Sequence, residues 1–247
     1  MAYVATAFDA SYKQGSGVSV VAGLVGEAKQ WKCVKKEWLL TLNNDWPELN
    51  GVFHLAKLPR LVGHERAAVC EKMFARIIGV SDLVTVAGVV SDADFFKDQS
   101  QFGADPIYKQ PHFLALECAL RALWDEITVP EKRTPCALFL DRDYGPESNA
   151  DRIFEDWCEK NHVDHNSFSV THGINGVPKQ CADLIAGAIR RASSTRFHLL
   201  GDPLWIFENE ELLSLASSKR RICQWSDYSH DHSMEMREAI KRRRCDG

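Results

Sequence analysis

The chain has 247 residues, of which 45% are hydrophobic and 26% are charged, and its formal net charge is -4, a composition that suffices for one large domain or two small ones. Its apolar runs are too short for a membrane span and its first residues lack the positive charge of a signal peptide, so we expect a cytoplasmic protein with no membrane partner. Eight cysteines are spread singly without a Cys-x-x-Cys pair, which argues against a zinc or disulfide framework.

The N-terminal part of the sequence predicts a β-hairpin. One strand is expected from about Tyr3 to Asp9, and the glycine-containing stretch 11–17 then turns into a second strand over 18–25. A third strand is expected either between Lys29 and Leu42 or around residues 52–55, where the pattern is ambiguous. The sheet is therefore predicted to begin as a hairpin or meander.

Helical and strand-like segments alternate along the rest of the first 200 residues. Helical spacing covers residues 63–78, 110–127, 150–160 and 179–191, and strand-like runs cover 83–90, 136–140 and 168–170. Such alternation is typical of parallel crossovers in an α/β fold. We predict one α/β domain over residues 1–200, followed by a helical basic tail over residues 201–247.

Three aspartates stand at the ends of strand-like runs. Asp9, Asp92 and Asp141 each close such a run, directly or after a single serine. Because the carboxyl ends of parallel strands meet at one edge of a sheet, we expect these three side chains to lie close together. A structural alternative stays open for each, since an aspartate at a strand end also bonds to nearby backbone N–H groups.

The segment 179–191 carries one carboxylate on an otherwise apolar helix. On a helical wheel Gln180, Asp183 and Gly187 share one face beside the core-facing stripe, and Pro178 precedes them at a common position for helix entry. Two interpretations remain open. Either Asp183 joins the strand-end aspartates in a site, or the helix packs through Ala186 and Gly187 while Asp183 is simply hydrogen-bonded nearby.

The C-terminal part is basic although the whole chain is acidic. From residue 186 onward there are 11 Lys or Arg against 9 Asp or Glu, which leaves 19 against 25 for the rest. The basic residues cluster at Arg190 and Arg191, at 219–221 and at 241–244. Such clusters either bind nucleic-acid phosphates or are solvated helix faces, and the tail is also a candidate surface for a protein partner.

Five short segments resemble the domain of unknown function 3800 family. They are Phe8–Ser11, Val20–Val25, His54–Leu58, Phe139–Arg142 and Gln180–Gly187. The resemblance spans roughly residues 3–195, and the last segment is its most specific part. Because members of that family look like ribonuclease H-like proteins, the resemblance implies a ribonuclease H-like mixed sheet flanked by helices.

This chain departs from the family pattern at two positions. Family members commonly begin Asp-Glu-Ser-Gly, whereas this chain has Ala10 after Asp9 and Tyr12 after Ser11. A glutamate also commonly stands shortly before the histidine, and here residues 51–53 contain none.

The resemblance implies a two-metal nuclease site. Ribonuclease H-like nucleases need three or four carboxylates, because two divalent cations must sit about 4 Å apart and share an oxygen ligand. Asp9, Asp141 and Asp183 would hold Mg²⁺ or Mn²⁺, with Asp9 as the bridging ligand. Either Asp92 or Asp143 would supply a fourth carboxylate.

Several basic side chains are candidates for contact with nucleic acid. Lys13, His54 and Arg142 would contact a phosphate or carry a proton, and Arg190 and Arg191 would bind the nucleic-acid backbone. For each of them a surface or packing role is the alternative.

The leading hypothesis is a metal-dependent nuclease that hydrolyses phosphodiester bonds in DNA or RNA. The rival hypothesis is a catalytically inactive ribonuclease H-like scaffold that serves as the binding subunit of a larger assembly. The resemblance also suggests a phage-defence or mobile-element setting, which suits either hypothesis. The sequence does not distinguish DNA from RNA.

Overall fold

The described residues of the chain fold around a six-stranded sheet. The computed structural model describes residues 4–12, 17–93, 95–96, 110–127, 136–140, 150–172, 176–197 and 220–224. The strands are β1 (Val4–Tyr12), β2 (Val18–Glu27), β3 (Val84–Ser91), β4 (Cys136–Leu140), β5 (Phe168–His172) and β6 (Arg220–Gln224). The helices are α1 (Ala28–Asn44), α2 (Leu58–Val62), α3 (His64–Gly79), α4 (Pro111–Ile127), α5 (Ala150–Lys160) and α6 (Val177–Phe197).

The strands lie in the order β5-β4-β1-β2-β3-β6. β2 pairs antiparallel with both β1 and β3, whereas β4 is parallel to β1, β5 is parallel to β4, and β6 is parallel to β3. Five strands therefore run in one direction and β2 runs in the other. The predicted α/β class, with later strands parallel to the first, is confirmed as a mixed sheet flanked by helices.

The hairpin of β1 and β2 is longer than the sequence predicts. The last three residues of β1 pair with residues 19–21 of β2, so the strand continues past Asp9 to Tyr12. The prediction that β1 ends at Asp9 is wrong, because the backbone groups of residues 10–12 still find partners in β2. Asp9 instead lies inside β1, opposite Ala22.

Residues 29–42 form helix and not the strand that was one prediction for this region. Four buried side chains recur at helical spacing along α1, namely Trp31, Val34, Trp38 and Leu42. Gln30 completes a capping box, since its side-chain oxygen accepts a hydrogen bond from the backbone N–H of Glu27 at 2.6 Å. The other prediction for a third strand, at residues 52–55, is also wrong, because these residues lie outside the sheet.

Two helical layers cover the sheet. α1, α3 and α6 pack against the face that carries Val20 and Leu24 of β2. α4 and α5 pack against the opposite face, which carries Val21 and Val25. The alternation along β2 follows from the two-residue period of a strand and buries both faces of the sheet.

β6 comes from the part of the chain predicted to be a helical tail. Its residues pair in parallel with residues 85–89 of β3, and it covers the outer edge of that strand. The prediction of a helical tail is therefore wrong for residues 220–224, because the open backbone groups of β3 provide strand partners. The 241–244 cluster lies outside the described residues.

Candidate functional site

One face of α6 binds the segment formed by residues 53–55. The side-chain oxygen of Gln180 accepts a hydrogen bond from the backbone N–H of Phe53 at 3.0 Å and another from the indole N–H of Trp38 at 2.8 Å. Gln180 therefore connects α6 both to this segment and to α1.

Asp183 continues the same contact one turn further along α6. Its Oδ2 atom accepts a hydrogen bond from the backbone N–H of Leu55 at 2.8 Å and lies 3.1 Å from Nδ1 of His54. Since an ionised carboxylate only accepts hydrogen bonds, this pairing favours the His54 tautomer with the proton on Nδ1. The side chain of His54 is 45% exposed and that of Asp183 is 20% exposed.

Gly187 allows the segment to approach α6 closely. A Cβ atom at this position would lie 2.1 Å from Cδ2 of Leu55, well inside the van der Waals limit. Two side chains of α6, Gln180 and Asp183, thus supply hydrogen-bond acceptors for the segment. The lack of a side chain at Gly187 leaves room for Leu55. This geometry matches the interpretation in which the helix packs closely through its small residues and Asp183 is hydrogen-bonded nearby, and it identifies the partner as residues 54–55.

An aromatic cluster fixes the other side of the segment. The ring centroid of Phe53 lies 5.4 Å from that of Trp38 and 4.9 Å from that of Phe74. Trp31, Trp38 and Trp46 are 8%, 0% and 4% exposed, so these tryptophans pack in the core. Base stacking by any of them is incompatible with this burial.

Asp9 is a buried carboxylate within the sheet. It is 7% exposed and pairs in register with Ala22, whose side chain belongs to the core on the α6 face. Directly opposite residues of paired strands share a face, so the side chain of Asp9 also points toward the α6 layer. Burial of a charged group is costly unless it is paired or hydrogen-bonded, which marks Asp9 as a constrained position.

Arg190 and Arg191 of α6 have different surroundings. Nε of Arg190 donates a hydrogen bond to Oγ of Ser11 at 2.8 Å, two residues after Asp9 on the same face of β1. Burial, followed by the neighbouring charge of Arg191, lowers the pKa of the Arg190 guanidinium. Arg191 instead pairs with Glu71 of α3 at 2.6 Å, where both side chains are less than one-fifth exposed.

Asp92 lies where the sequence predicted it, directly after the last residue of β3. Its backbone N–H donates a hydrogen bond to the carbonyl of Gly17 at 2.9 Å, which joins the end of β3 to the start of β2. The ends of β1 and β3 therefore flank β2 at one edge of the sheet.

The other predicted site residues, Lys13, Asp141, Arg142 and Asp143, lie outside the described residues. β4 ends at Leu140, so Asp141 directly follows it in the chain. Within the described ranges no group of three or more His, Cys, Asp or Glu side chains is arranged to hold a metal ion. Asp9 has the hard oxygen donors that Mg²⁺ and Mn²⁺ prefer, so it fits such an ion, but the described part of the chain supplies an incomplete ligand set.

Glu117 of α4 is a buried carboxylate that the sequence analysis missed. It is 0% exposed and belongs to the layer on the face opposite α6. Its signature in the sequence is a single carboxylate inside the apolar stretch 113–120, the same kind of pattern that marked Asp183.

Comparison with known proteins identifies no relative: no family model, curated protein or solved structure matches this chain. The resemblance to the domain of unknown function 3800 family therefore stays a prediction. No described helix combines the length and apolarity needed to cross a membrane.

Proposed function

We propose that this protein is a divalent-metal-dependent nuclease of ribonuclease H-like fold that hydrolyses phosphodiester bonds in DNA or RNA. The observation that carries the proposal is Asp9, a carboxylate 7% exposed inside a central strand, on the face covered by the helix that bears Arg190. Buried ionisable groups cluster at functional sites more often than elsewhere, because their desolvation must be offset by a specific partner.

The order of the strands also supports the proposal. Five of them follow the order β3-β2-β1-β4-β5 with β2 alone reversed, which is the arrangement expected of a ribonuclease H-like sheet. Asp9 lies two residues after Ala7 in β1, and Asp141 lies two residues after Phe139 in β4. Ala7 and Phe139 are paired in register. The proposal requires the same register two residues further on, so that Asp9 and Asp141 lie side by side.

The roles of the residues follow from their positions. Asp9 and Asp141 would hold Mg²⁺ or Mn²⁺, which would supply an activated water and stabilise the leaving oxygen. Arg190, held by Ser11 beside the same face of β1, would contact the substrate phosphate. Asp183 would orient His54, whose exposed ring would carry a proton through Nε2.

The experiment is a pair of measurements on the wild type and on Asp9→Asn: calorimetric titration with Mn²⁺ and cleavage of labelled DNA and RNA. We expect the substitution to abolish both metal binding and cleavage without unfolding the protein, because asparagine has nearly the same size as aspartate and keeps one acceptor oxygen. The matched control is Asp45→Asn, which changes an exposed carboxylate at the end of α1. Cleavage by Asp9→Asn at the wild-type rate would contradict the proposal.

The second candidate function is a catalytically inactive scaffold that binds nucleic acid or protein. One observation favours it: the Asp183 oxygen that faces residues 54–55 is already occupied by two hydrogen-bond donors, as expected of a structural residue. In this case the wild type binds no Mn²⁺, and its affinity for an oligonucleotide is unaffected by chelation. Cleavage that depends on Mn²⁺ would exclude this candidate.

A further inference from the structure

The outer face of α1 carries a concentrated positive charge. The helix contains four lysines, Lys29, Lys32, Lys35 and Lys36, against the single acid Glu37, a net charge of +3. The whole chain carries a net charge of -4, so this helix opposes the sign of the molecule. All four lysines are exposed.

Three of these lysines form a line along the helix. Lys29, Lys32 and Lys36 are three and four residues apart, which places them on one stripe about 10 Å long at 1.5 Å rise per residue. The opposite face of α1 is anchored in the core by Trp31 and Trp38, which are 8% and 0% exposed. The stripe therefore has a fixed outward orientation.

Within the protein the charge of these lysines is only weakly compensated. Like charges at spacings of three and four residues repel, and Lys29 stands in the first turn, where the helix dipole disfavours a cation. Lys29 pairs with Glu27 at 2.9 Å and Lys36 lies 3.9 Å from Glu37, but all these side chains are between 45% and 79% exposed, so solvent screens the pairs. A polyanionic partner would turn the repulsion into attraction.

We propose that the outer face of α1 binds the sugar-phosphate backbone of a nucleic acid. The inference rests on the proposed function in that the bound nucleic acid would be the substrate. Lysine ammonium groups act as point charges toward phosphates, so this surface provides affinity and position without reading sequence. It is distinct from the basic clusters that the sequence analysis identified.

The test measures binding of a labelled duplex oligonucleotide by fluorescence anisotropy in EDTA, over a range of salt concentrations. The variant is the triple substitution Lys29→Gln, Lys32→Gln and Lys36→Gln. Each lost phosphate contact reduces the slope of log affinity against log salt by about 0.9, so we expect the slope to fall by roughly 2 to 3.

The matched control removes the same charge from three other helices by Arg60→Gln, Arg76→Gln and Arg152→Gln, all of them exposed. We expect the slope of log affinity against log salt for this control to differ from the wild-type slope by less than about 0.9, the value for one phosphate contact. Equal losses in the two triple variants would overturn the inference, since net charge alone would then explain binding. An unchanged slope in the lysine variant would overturn it as well.

Further measurements separate the remaining outcomes. Polyglutamate that binds the wild type as tightly as the duplex does, with the same dependence on the three lysines, would overturn the inference in favour of an acidic protein partner. The lysine variant should unfold at about the wild-type temperature, because exposed charge pairs, attractive and repulsive alike, contribute little to stability. If it is destabilised, Lys32→Gln alone should still lower the slope by about 0.9. Asp9→Asn should keep its binding in EDTA, which separates failure of this inference from failure of the proposed nuclease.

Discussion

At the scale of single residues, Asp183 contributes to stability through two hydrogen bonds on one oxygen. Asp183→Ala leaves the N–H of Leu55, a residue only 7% exposed, without its acceptor. We expect the free energy of unfolding to fall by about 1–3 kcal/mol, the usual cost of an unsatisfied buried polar group. Asp183→Asn keeps an acceptor oxygen and should cost about 1 kcal/mol or less.

Urea denaturation in EDTA checks both values without any contribution from metal binding. Wild-type stability of Asp183→Ala under these conditions would contradict a structural role. The comparison also bears on the proposed nuclease, because a loss of cleavage in Asp183→Asn with intact stability would assign the carboxylate to the chemistry.

The buried thiol of Cys136 in β4 should make the free energy of unfolding fall at alkaline pH. Burial raises the pKa of its thiol from 9.0 to about 12. Between these values the unfolded chain releases the thiol proton while the folded chain keeps it, so the contribution to stability is complete below 9.0 and is lost as the pH rises toward 12. The free energy of unfolding should therefore fall by at most about 1.4 kcal/mol per pH unit over this range.

Urea titrations at increasing pH on the wild type and on Cys136→Ala isolate this contribution. The wild type should lose more stability than the variant above pH 9. Parallel curves for the two proteins would show that another group causes the pH dependence.

The sequence predicted the shared face of Gln180, Asp183 and Gly187 because a helical wheel depends only on spacing within one element. It could not identify the partner of that face. Leu55 and Asp183 are 128 residues apart, and their contact depends on how α6 packs beside α1 and the aromatic cluster. For the same reason the sequence left open whether Asp183 was structural or catalytic.

At the scale of elements, two glycines set how closely helices approach their neighbours. At Gly88 of β3 an added Cβ would lie 2.0 Å from the carbonyl oxygen of Ala115 in α4, whereas at Gly187 the nearest atom is the end of the Leu55 side chain. Overpacking lowers the free energy of unfolding by about 1–3 kcal/mol. We expect a loss within this range for Gly187→Ala and a loss at or above its upper end for Gly88→Ala. A side chain can rotate away and a helix backbone cannot.

Chemical denaturation of both variants measures the difference. The double variant Gly187→Ala, Leu55→Ala should cost less than the sum of its single substitutions, because the methyl group that Gly187→Ala adds would occupy the space that Leu55 leaves. Equal costs for Gly88→Ala and Gly187→Ala would contradict the distinction between backbone and side-chain obstruction.

The boundaries of the helices and strands show where the local sequence pattern is sufficient to predict structure. α5 begins and ends at the predicted residues, 150 and 160, since amphipathic spacing defines it without reference to other elements. β1 extends three residues beyond its predicted end. The sequence did not reveal this extension, because residues 10–12 do not continue the apolar run and their strand state depends on pairing with β2. The α1 region was ambiguous because its tryptophans and valine suit a strand as well as a helix, and only the spacing of its buried side chains decides.

At the scale of the whole molecule, β6 closes one edge of the sheet. It pairs with β3, and its Cys223 thiol hydrogen-bonds with Cys118 of α4; this contact, together with burial, raises the pKa of the Cys118 thiol. A domain boundary at residue 200 would separate β6 from this sheet. The sequence did not reveal the strand, because five residues that begin with two arginines have too weak a pattern to be distinguished from a basic helix face.

Truncation tests how much the molecule depends on this edge. Removal of residues 201–247 should lower the free energy of unfolding and cause concentration-dependent association, because it exposes the backbone edge of β3 and the part of the core against which Cys223 packs. The matched control removes only residues 225–247, which deletes the 241–244 cluster but keeps β6, and it should stay as stable as the full chain. Light scattering coupled to size-exclusion chromatography, together with urea denaturation, distinguishes the two. If the longer truncation is monodisperse and fully stable, β6 is dispensable and residues 1–200 fold as an independent domain. If both truncations associate, residues beyond Gln224 protect the sheet as well.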